Sequence, residues 1–158
     1  APFHISEIMS HPKTRLSIID KLDVLGKEYR FSLKLYPTVE NFDRKFKFTI
    51  GDRIIDAEER AEELIIDANR TTDPLKAAGF LHDALTEFEK IETKLRRATA
   101  LGLLSPDTEG LLFVDLDDIR GDAKHWRSYF LKEYKRQQKE GRSSGGEQHP
   151  AGSEPTMN

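Results

Sequence analysis

The sequence predicts an all-α protein with the fold of an antiparallel up-down-up-down four-helix bundle. Four segments place apolar residues at alternating steps of three and four, which is the spacing of an amphipathic helix packed along other helices. No run of comparable length shows the alternation that is typical of a β-strand. The links between the four segments are short, which favours packing of consecutive helices side by side in opposite directions.

The first helix is predicted to run from about Thr14 to Pro37, because a proline cannot continue a helix. Its predicted core face consists of the residues that keep the three-or-four spacing. These residues are Ile18, Leu22, Leu25, Tyr29, Leu33 and Tyr36.

The second helix is predicted from near Arg44 to about Arg70, with Gly51 as a tolerated weak point inside it. Its predicted core face is Ile50, Ile54, Ala57, Ala61, Leu64 and Ala68. The face between them is predicted to lie in water, and it carries Asp56, Glu58, Glu59, Arg60, Glu62 and Glu63. Three aromatic residues near the start of this helix are candidates for closing one end of the core, namely Phe42, Phe46 and Phe48.

The third helix begins with Asp73 as the predicted N-cap and Pro74 in the first turn, and it is predicted to end near Leu101 and Gly102. Its predicted core face is Ala78, Leu81, Leu85, Phe88, Ile91, Leu95 and Ala98. Ser105 and Pro106 repeat the start signal for a fourth helix. The predicted core face of the fourth helix is Leu112, Leu116, Ile119, Ala123, Trp126 and Phe130.

The 158 residues are enough for one hydrophobic core and too few for two domains of ordinary size. Residues 1–13 contain two prolines and no sustained regular spacing of apolar residues, and they are predicted to form an N-terminal arm. The bundle is predicted at residues 14–138. Residues 139–158 are rich in Gly, Ser, Pro and Glu, which bury too little apolar surface to offset the entropy of ordering, so a disordered tail is predicted there.

Composition excludes several classes of site. The chain has no cysteine, which rules out a disulfide framework and a zinc–thiolate centre. No apolar run approaches the roughly 20 residues of a membrane span, and residues 1–13 lack the layout of a signal peptide. We therefore expect a cytoplasmic protein without a membrane partner. The net charge of −3 argues against wholesale coating of nucleic acid, so binding surfaces must be sought segment by segment.

Four stretches have an order and spacing that are found together in one protein family. They are FDRKFKFTIGDRI at 42–54, LIIDAN at 64–69, RRATALGLLS at 96–105 and HWRSYF at 125–130. Through these motifs the chain from Leu22 to Phe130 resembles the accessory variability determinant proteins of diversity-generating retroelements. That family is related to the four-helix-bundle proteins encoded in intervening sequences of 23S ribosomal RNA.

The resemblance implies a bacterial or phage-encoded protein that forms a ring-shaped homo-oligomer, a pentamer. It also implies a non-catalytic accessory protein without a cofactor. Its implied partners are a retroelement reverse transcriptase and the template RNA, with the cDNA as a further candidate. The implied role is support of mutagenic cDNA synthesis by the reverse transcriptase.

Three basic clusters are the candidate nucleic-acid-binding sites, because phosphate contacts need positive side chains at backbone spacing. The first cluster is Arg44, Lys45 and Lys47, and the second is Lys94, Arg96 and Arg97. In an antiparallel bundle these two clusters are predicted to share one end and form a single basic rim. The third cluster is Lys124, Arg127, Lys132, Lys135, Arg136 and Lys139. Aromatic residues lie between the basic residues of this third cluster. Only Tyr129 and Tyr134 are outside the predicted core face and therefore available to stack bases.

Two other functions stay open at the level of sequence. Arg120 and His125 have a spacing similar to the signature of HEPN ribonucleases, in which Arg and His act on the scissile phosphate, so a helical ribonuclease is the enzymatic alternative. A plain oligomeric adaptor bundle, with its basic clusters simply solvated, is the other alternative. A metal site is not expected, because a di-iron bundle needs two Glu-x-x-His pairs and the chain offers only Asp122-Ala-Lys-His125.

Overall fold

The computed structural model describes residues 15–145, with side chains described for residues 24–144. Over this range the chain is helical and contains no β-strand. Four long helices form a bundle, so the predicted all-α class is confirmed. We number them α1 (Arg15–Glu40), α2 (Asp52–Arg70), α3 (Pro74–Ala100) and α4 (Pro106–Gly145). A short helical turn at Arg44–Phe46 and a π-helical turn at Lys47–Gly51 lead into α2.

Helix α1 continues past the proline at which it was predicted to end. Pro37 lies inside the helix, and only the last turn follows it, up to Glu40. That turn is held by the Thr38 hydroxyl, which donates to Lys34 O at 2.8 Å, and by the Asn41 N–H, which donates to Pro37 O at 3.2 Å. The prediction was wrong because a proline removes its own donor and crowds the preceding turn, whereas the residues after it can still close helical hydrogen bonds.

The core face of α1 differs from the predicted one. Leu25 is buried as predicted, but Tyr29 and Leu33 are 61% and 56% exposed and Tyr36 is also exposed. The buried residues at helical spacing are instead Val24, Glu28, Phe31, Leu35 and Val39. The helix carries two apolar stripes side by side, and spacing alone does not distinguish the stripe that faces the core. The predicted core residues Ile18 and Leu22 lie outside the residues whose side chains are described.

The turn before α2 depends on a glycine. Gly51 is buried, and a Cβ at this position would lie 2.9 Å from Val39 Cγ1. Gly51 is therefore a point of close approach between α1 and the start of α2, and not merely a tolerated weak point. Of the three aromatic residues predicted to close this end of the core, Phe42 is buried, Phe46 is half-buried, and Phe48 is 64% exposed. The prediction for Phe48 is wrong: this residue lies within the π-helical turn, and its side chain is in contact with solvent.

Helices α2 and α3 bury most of their predicted core faces. In α2, Ile65 is fully buried and Leu64 only half-buried, and in α3 Ala84 takes the buried place predicted for Leu85. Glu58, predicted to lie in water, is completely buried. At the start of α3 the Asp73 carboxylate accepts hydrogen bonds from the N–H groups of the first turn, as the capping signal predicts.

Helix α4 buries all six predicted core residues. It continues to Gly145, so residues 139–145 are helical and not part of the disordered tail predicted to begin at 139. The side chains of 139–144 are exposed, and helical charge pairs such as Arg136–Glu140 at 2.9 Å supply local stabilisation that an apolar pattern does not reveal. The predicted arm at 1–13 and the remainder of the predicted tail at 146–158 lie outside the described residues. Within the described range, no helix is both long enough and apolar enough to span a membrane.

Interhelical ion pairs show which helices are neighbours. Lys27 on α1 contacts Asp118 at 3.1 Å and Asp122 at 2.7 Å on α4. Lys34, further along α1, contacts Asp115 of α4 at 2.8 Å. Hydrogen bonding of Asp122 and then of Asp118 raises the pKa of Lys27. These ion pairs show that α1 and α4 lie side by side.

Candidate functional site

The first basic cluster lies at the turn that leads into α2. Arg44 and Lys45 are exposed, and Lys45 Nζ lies 5.6 Å from the centre of the Phe46 ring. Lys47 is half-buried and forms an ion pair with Glu40 at 2.6 Å. Among the described residues no carboxylate pairs with Arg44 or Lys45. The charges of those two side chains are thus available to a phosphate.

The second basic cluster lies in the last part of α3. Arg97 is exposed and has no carboxylate partner within the described range, and Lys94 is half-buried. Arg96 donates to Glu92 at 3.0 Å and stacks its guanidinium 5.0 Å from the centre of the Phe113 ring. Arg96 is therefore partly neutralised, which makes Arg97 the stronger candidate for a phosphate contact.

These two clusters occur at the same end of the bundle. The end of α1, at Pro37, Thr38 and Asn41, lines one surface cleft together with the α3–α4 link at Leu103, Leu104 and Ser105. The first cluster follows directly after α1, and the second directly precedes that link. The structure thus gives the two clusters a common neighbourhood, as a basic rim requires.

The third basic cluster extends along the second half of α4. Lys124, Lys132, Lys135 and Lys139 are exposed, and Arg127 is half-buried. Arg136 is paired with Glu133 and Glu140, and the hydrogen bond from Arg136 lowers the pKa of Glu133. Of the two candidate stacking residues, Tyr129 is exposed as predicted. The Tyr129 ring packs edge-on against Phe130 with centroids 5.6 Å apart, and Tyr134 is half-buried.

Arg120 and His125 do not form a constellation. Arg120 is largely buried, and it donates to Glu92 Oε2 at 2.7 Å and to Phe88 O at 3.4 Å across the α3–α4 contact. His125 is exposed to solvent. Five residues along an α-helix correspond to a rotation of about 140° between their directions. The arrangement makes Arg120 an interhelical ion-pair partner and leaves His125 on another face.

A cluster of carboxylates between α1 and α2 was not predicted from the sequence. Glu28 is 2% exposed, Glu58 is 0% exposed and Glu62 is half-buried. One carboxylate oxygen from each of the three lies within 4.8 Å of the other two. The Tyr36 hydroxyl donates to Glu58 Oε2 at 2.6 Å. We call Glu28, Glu58 and Glu62 the carboxylate cluster.

The carboxylate cluster is electrostatically unusual. Burial raises the pKa of Glu28 to about 10, and a hydrogen bond shared with Glu58 and the charges of Glu58 and Glu62 add to that shift. Burial also raises the pKa of Glu62, again with a contribution from the Glu58 charge. The pKa of the Tyr36 hydroxyl is raised by burial and by its hydrogen bond to Glu58. The three carboxylates therefore lie close together in surroundings that disfavour three negative charges at once.

One sequence signal points to Glu28. It stands between Val24 and Phe31 at the four-then-three spacing of the stripe that proves to be buried. A glutamate at a core position is rarely fully buried unless it is paired, and such a position marks a candidate site. Glu58 gave no such signal, because it directly follows a core alanine and belongs to a run of charged residues.

Comparison with known proteins gives no assignment for this chain. No protein-family model matches it, and no curated protein matches it.

Proposed function

We propose that this protein is a non-catalytic accessory factor of the accessory variability determinant type, which binds a retroelement reverse transcriptase and its template RNA. The observation that carries the RNA-binding part is the exposed, carboxylate-free set of Arg44, Lys45 and Arg97 at one end of the bundle. The reverse transcriptase as partner comes from the family resemblance of the sequence. We place the protein in the cytoplasm, with the cDNA as a further nucleic-acid partner.

The proposed topology is the antiparallel up-down-up-down arrangement. The contacts between α1 and α4 support it, because the residue numbers run in opposite directions. Lys34 pairs with Asp115, whereas the earlier Lys27 pairs with the later Asp118 and Asp122. An antiparallel arrangement brings the start of the second helix and the end of the third to one end, which is the geometry that the basic rim needs.

The proposed mechanism is electrostatic positioning. Lysine and arginine side chains at the rim would contact phosphates and release the counterions condensed on them, which gives affinity without base recognition. Lys47 and Arg96, which are paired with Glu40 and Glu92, would contribute less than their unpaired neighbours. Lys94, Lys124 and Arg127 are secondary candidates because Lys94 and Arg127 are half-buried and Lys124 lies on the separate α4 surface.

We do not propose the ribonuclease alternative. Its two key residues would have to act on one phosphate, but Arg120 is occupied by Glu92 and His125 is exposed on another face. The adaptor alternative differs from our proposal in a measurable way, because an adaptor without nucleic acid would show no salt-dependent RNA binding.

The test is a pair of double variants with the same change of charge. Arg44→Glu with Lys45→Glu alters the rim, and Arg70→Glu with Lys76→Glu alters exposed cations at the α2–α3 link as a control. We expect the rim variant to bind a labelled single-stranded RNA at least about tenfold more weakly in fluorescence anisotropy at 100 mM salt. Its slope of log affinity against log salt should fall by roughly 0.7 for each phosphate of the single strand that the rim no longer neutralises.

The control variant should keep the affinity and salt slope of the wild-type protein. Equal affinities of the two variants would contradict the assignment of the rim, and absence of RNA binding by the wild type would leave the adaptor alternative. Copurification of the tagged wild-type chain with its cognate reverse transcriptase is the second readout. A failure there, with RNA binding intact, would contradict only the polymerase partner.

A further inference from the structure

We propose that Glu28, Glu58 and Glu62 bind one hard divalent cation, of the Ca²⁺ or Mn²⁺ type, between α1 and α2. The geometry is the first argument. The three candidate ligand oxygens lie within 4.8 Å of one another. Two oxygens bound to the same Ca²⁺ at its usual distances are at most about 5 Å apart, so small side-chain shifts would let one ion contact all three.

The second argument is the set of carboxylate oxygens without partners. The Oε1 atoms of Glu28 and Glu58 are buried, and neither has a hydrogen-bond partner among the described residues. Buried polar atoms in folded proteins are nearly always satisfied, and those that are not require an explanation. Within the described range, no lysine, arginine or histidine forms an ion pair with any of the three carboxylates. A cation held between Glu28 and Glu58 would give these buried carboxylates a partner of opposite charge.

The surroundings of the carboxylate cluster fit a metal site. The Tyr36 hydroxyl donates to Oε2 of Glu58 and restrains that side chain, while Oε1 has no hydrogen-bond partner among the described residues. Hydrogen bonds of this kind orient the ligands in metal sites. Glu58 and Glu62 are four residues apart and lie on one face of α2, while Glu28 reaches them from α1. Glu62 is the most exposed of the three carboxylates, so an ion would enter from its side.

The ligand chemistry selects the class of ion. All three ligands are carboxylate oxygens, with neither sulfur nor imidazole, which favours hard cations over Zn²⁺ or copper. Three carboxylates leave further coordination positions for water, as Ca²⁺ and Mn²⁺ require. The bound ion would connect α1 to α2 close to Tyr29 and Tyr36, which are exposed on α1.

Mn²⁺ is a suitable probe because its free form gives a sharp paramagnetic resonance signal. The full-length protein is first stripped with EDTA and then titrated with Mn²⁺. We expect one Mn²⁺ to bind per chain and to raise the unfolding temperature, and we expect Ca²⁺ to compete for the site. Glu28→Gln and Glu58→Gln should each weaken Mn²⁺ binding at least about tenfold and remove the stabilisation by metal.

Glu59→Gln and Glu63→Gln are the matched controls, because both residues are exposed on α2, the helix of Glu58, and the change of charge is identical. They should bind Mn²⁺ as the wild type does. Glutamine preserves the shape of glutamate, and circular dichroism verifies that each variant is folded. If either buried variant fails to fold, Glu62→Gln at the half-buried position replaces it and carries the same expectation.

Two outcomes would overturn the proposal. Absence of stoichiometric Mn²⁺ binding by the wild type would mean that the buried carboxylates are satisfied by a shared proton instead. Equal loss of affinity in the buried and the exposed variants would mean that Mn²⁺ binds only diffusely to the acidic surface.

Discussion

Glu92 accepts hydrogen bonds from two arginines, and its contribution to the stability of the fold should depend on pH. Its carboxylate accepts from Arg120 at 2.7 Å and from Arg96 at 3.0 Å, and these bonds, the one from Arg120 foremost, lower its pKa below the ordinary value of 4.5. A carboxyl with a lower pKa in the folded state binds fewer protons there than in the unfolded chain. It therefore stabilises the fold above pH 4.5, and this stabilisation is lost as pH falls through the folded-state pKa.

Glu92→Gln should lower the free energy of unfolding at pH 7 by roughly 1–2 kcal/mol, the size of a hydrogen-bonded charge pair that is partly exposed. The difference from the wild type should shrink as pH falls from 4.5 towards 3. Urea unfolding at several pH values measures it. Glu89→Gln, at an exposed position on the same helix, is the control and should change stability little. A destabilisation of Glu92→Gln that is constant over this pH range would contradict the account.

Single residues were predicted well where their role is local. Asp73 caps α3 as predicted, because the capping signal is contained in a few consecutive residues. Glu58 and Glu28 were missed because their burial depends on residues about 30 positions apart meeting across α1 and α2. From the sequence alone, a charged residue inside an acidic run is expected to be solvated, because the helix that covers it cannot be identified.

At the scale of elements, Gly51 determines how closely α1 approaches the start of α2. In an exposed helix interior, Gly→Ala usually stabilises by up to about 1 kcal/mol. At Gly51 the new Cβ would lie 2.9 Å from Val39 Cγ1, and a buried valine has little freedom to move. Gly51→Ala should therefore destabilise by about 1–3 kcal/mol, the usual effect of overpacking. Thermal and urea unfolding measure the change.

Gly79→Ala in α3 is the matched control, since nothing lies within 4 Å of the added Cβ there, and it should be neutral or stabilising. Adding Val39→Ala to Gly51→Ala should recover part of the loss, because the two residues are in contact and their effects are not additive. Equal effects of Gly51→Ala and Gly79→Ala would show that the close approach is unimportant.

The helices themselves were predictable and the faces of α1 were not. The spacing of apolar residues and the capping signals predicted all four long helices, and every predicted core residue of α4 is buried. In α1, Phe31 and Leu35 compete with Tyr29 and Leu33 for the core, and both sets keep helical spacing. The choice between them is made by tertiary packing, and Gly51 and Pro37 likewise take their roles from neighbours distant in sequence.

At the scale of the whole molecule, the exposed apolar stripe of α1 bears on assembly. Tyr29, Leu33 and Tyr36 are exposed at steps of four and three, which is the spacing of a helix face that packs against another helix. A surface of this kind on a single chain is typical of an interface between subunits.

The family resemblance of the sequence implies a pentamer, so we expect five copies of the 18.1 kDa chain, about 90 kDa, in light scattering after removal of nucleic acid. Tyr29→Glu with Leu33→Glu should reduce the mass towards that of one subunit, because charges would be buried without partners at the contact. Tyr36 is kept, since its hydroxyl binds Glu58. Leu75→Glu, at an exposed leucine at the start of α3, should leave the mass unchanged. A wild-type monomer or dimer would contradict the ring, and an unchanged mass of the α1 variant would place the contact between subunits on another face.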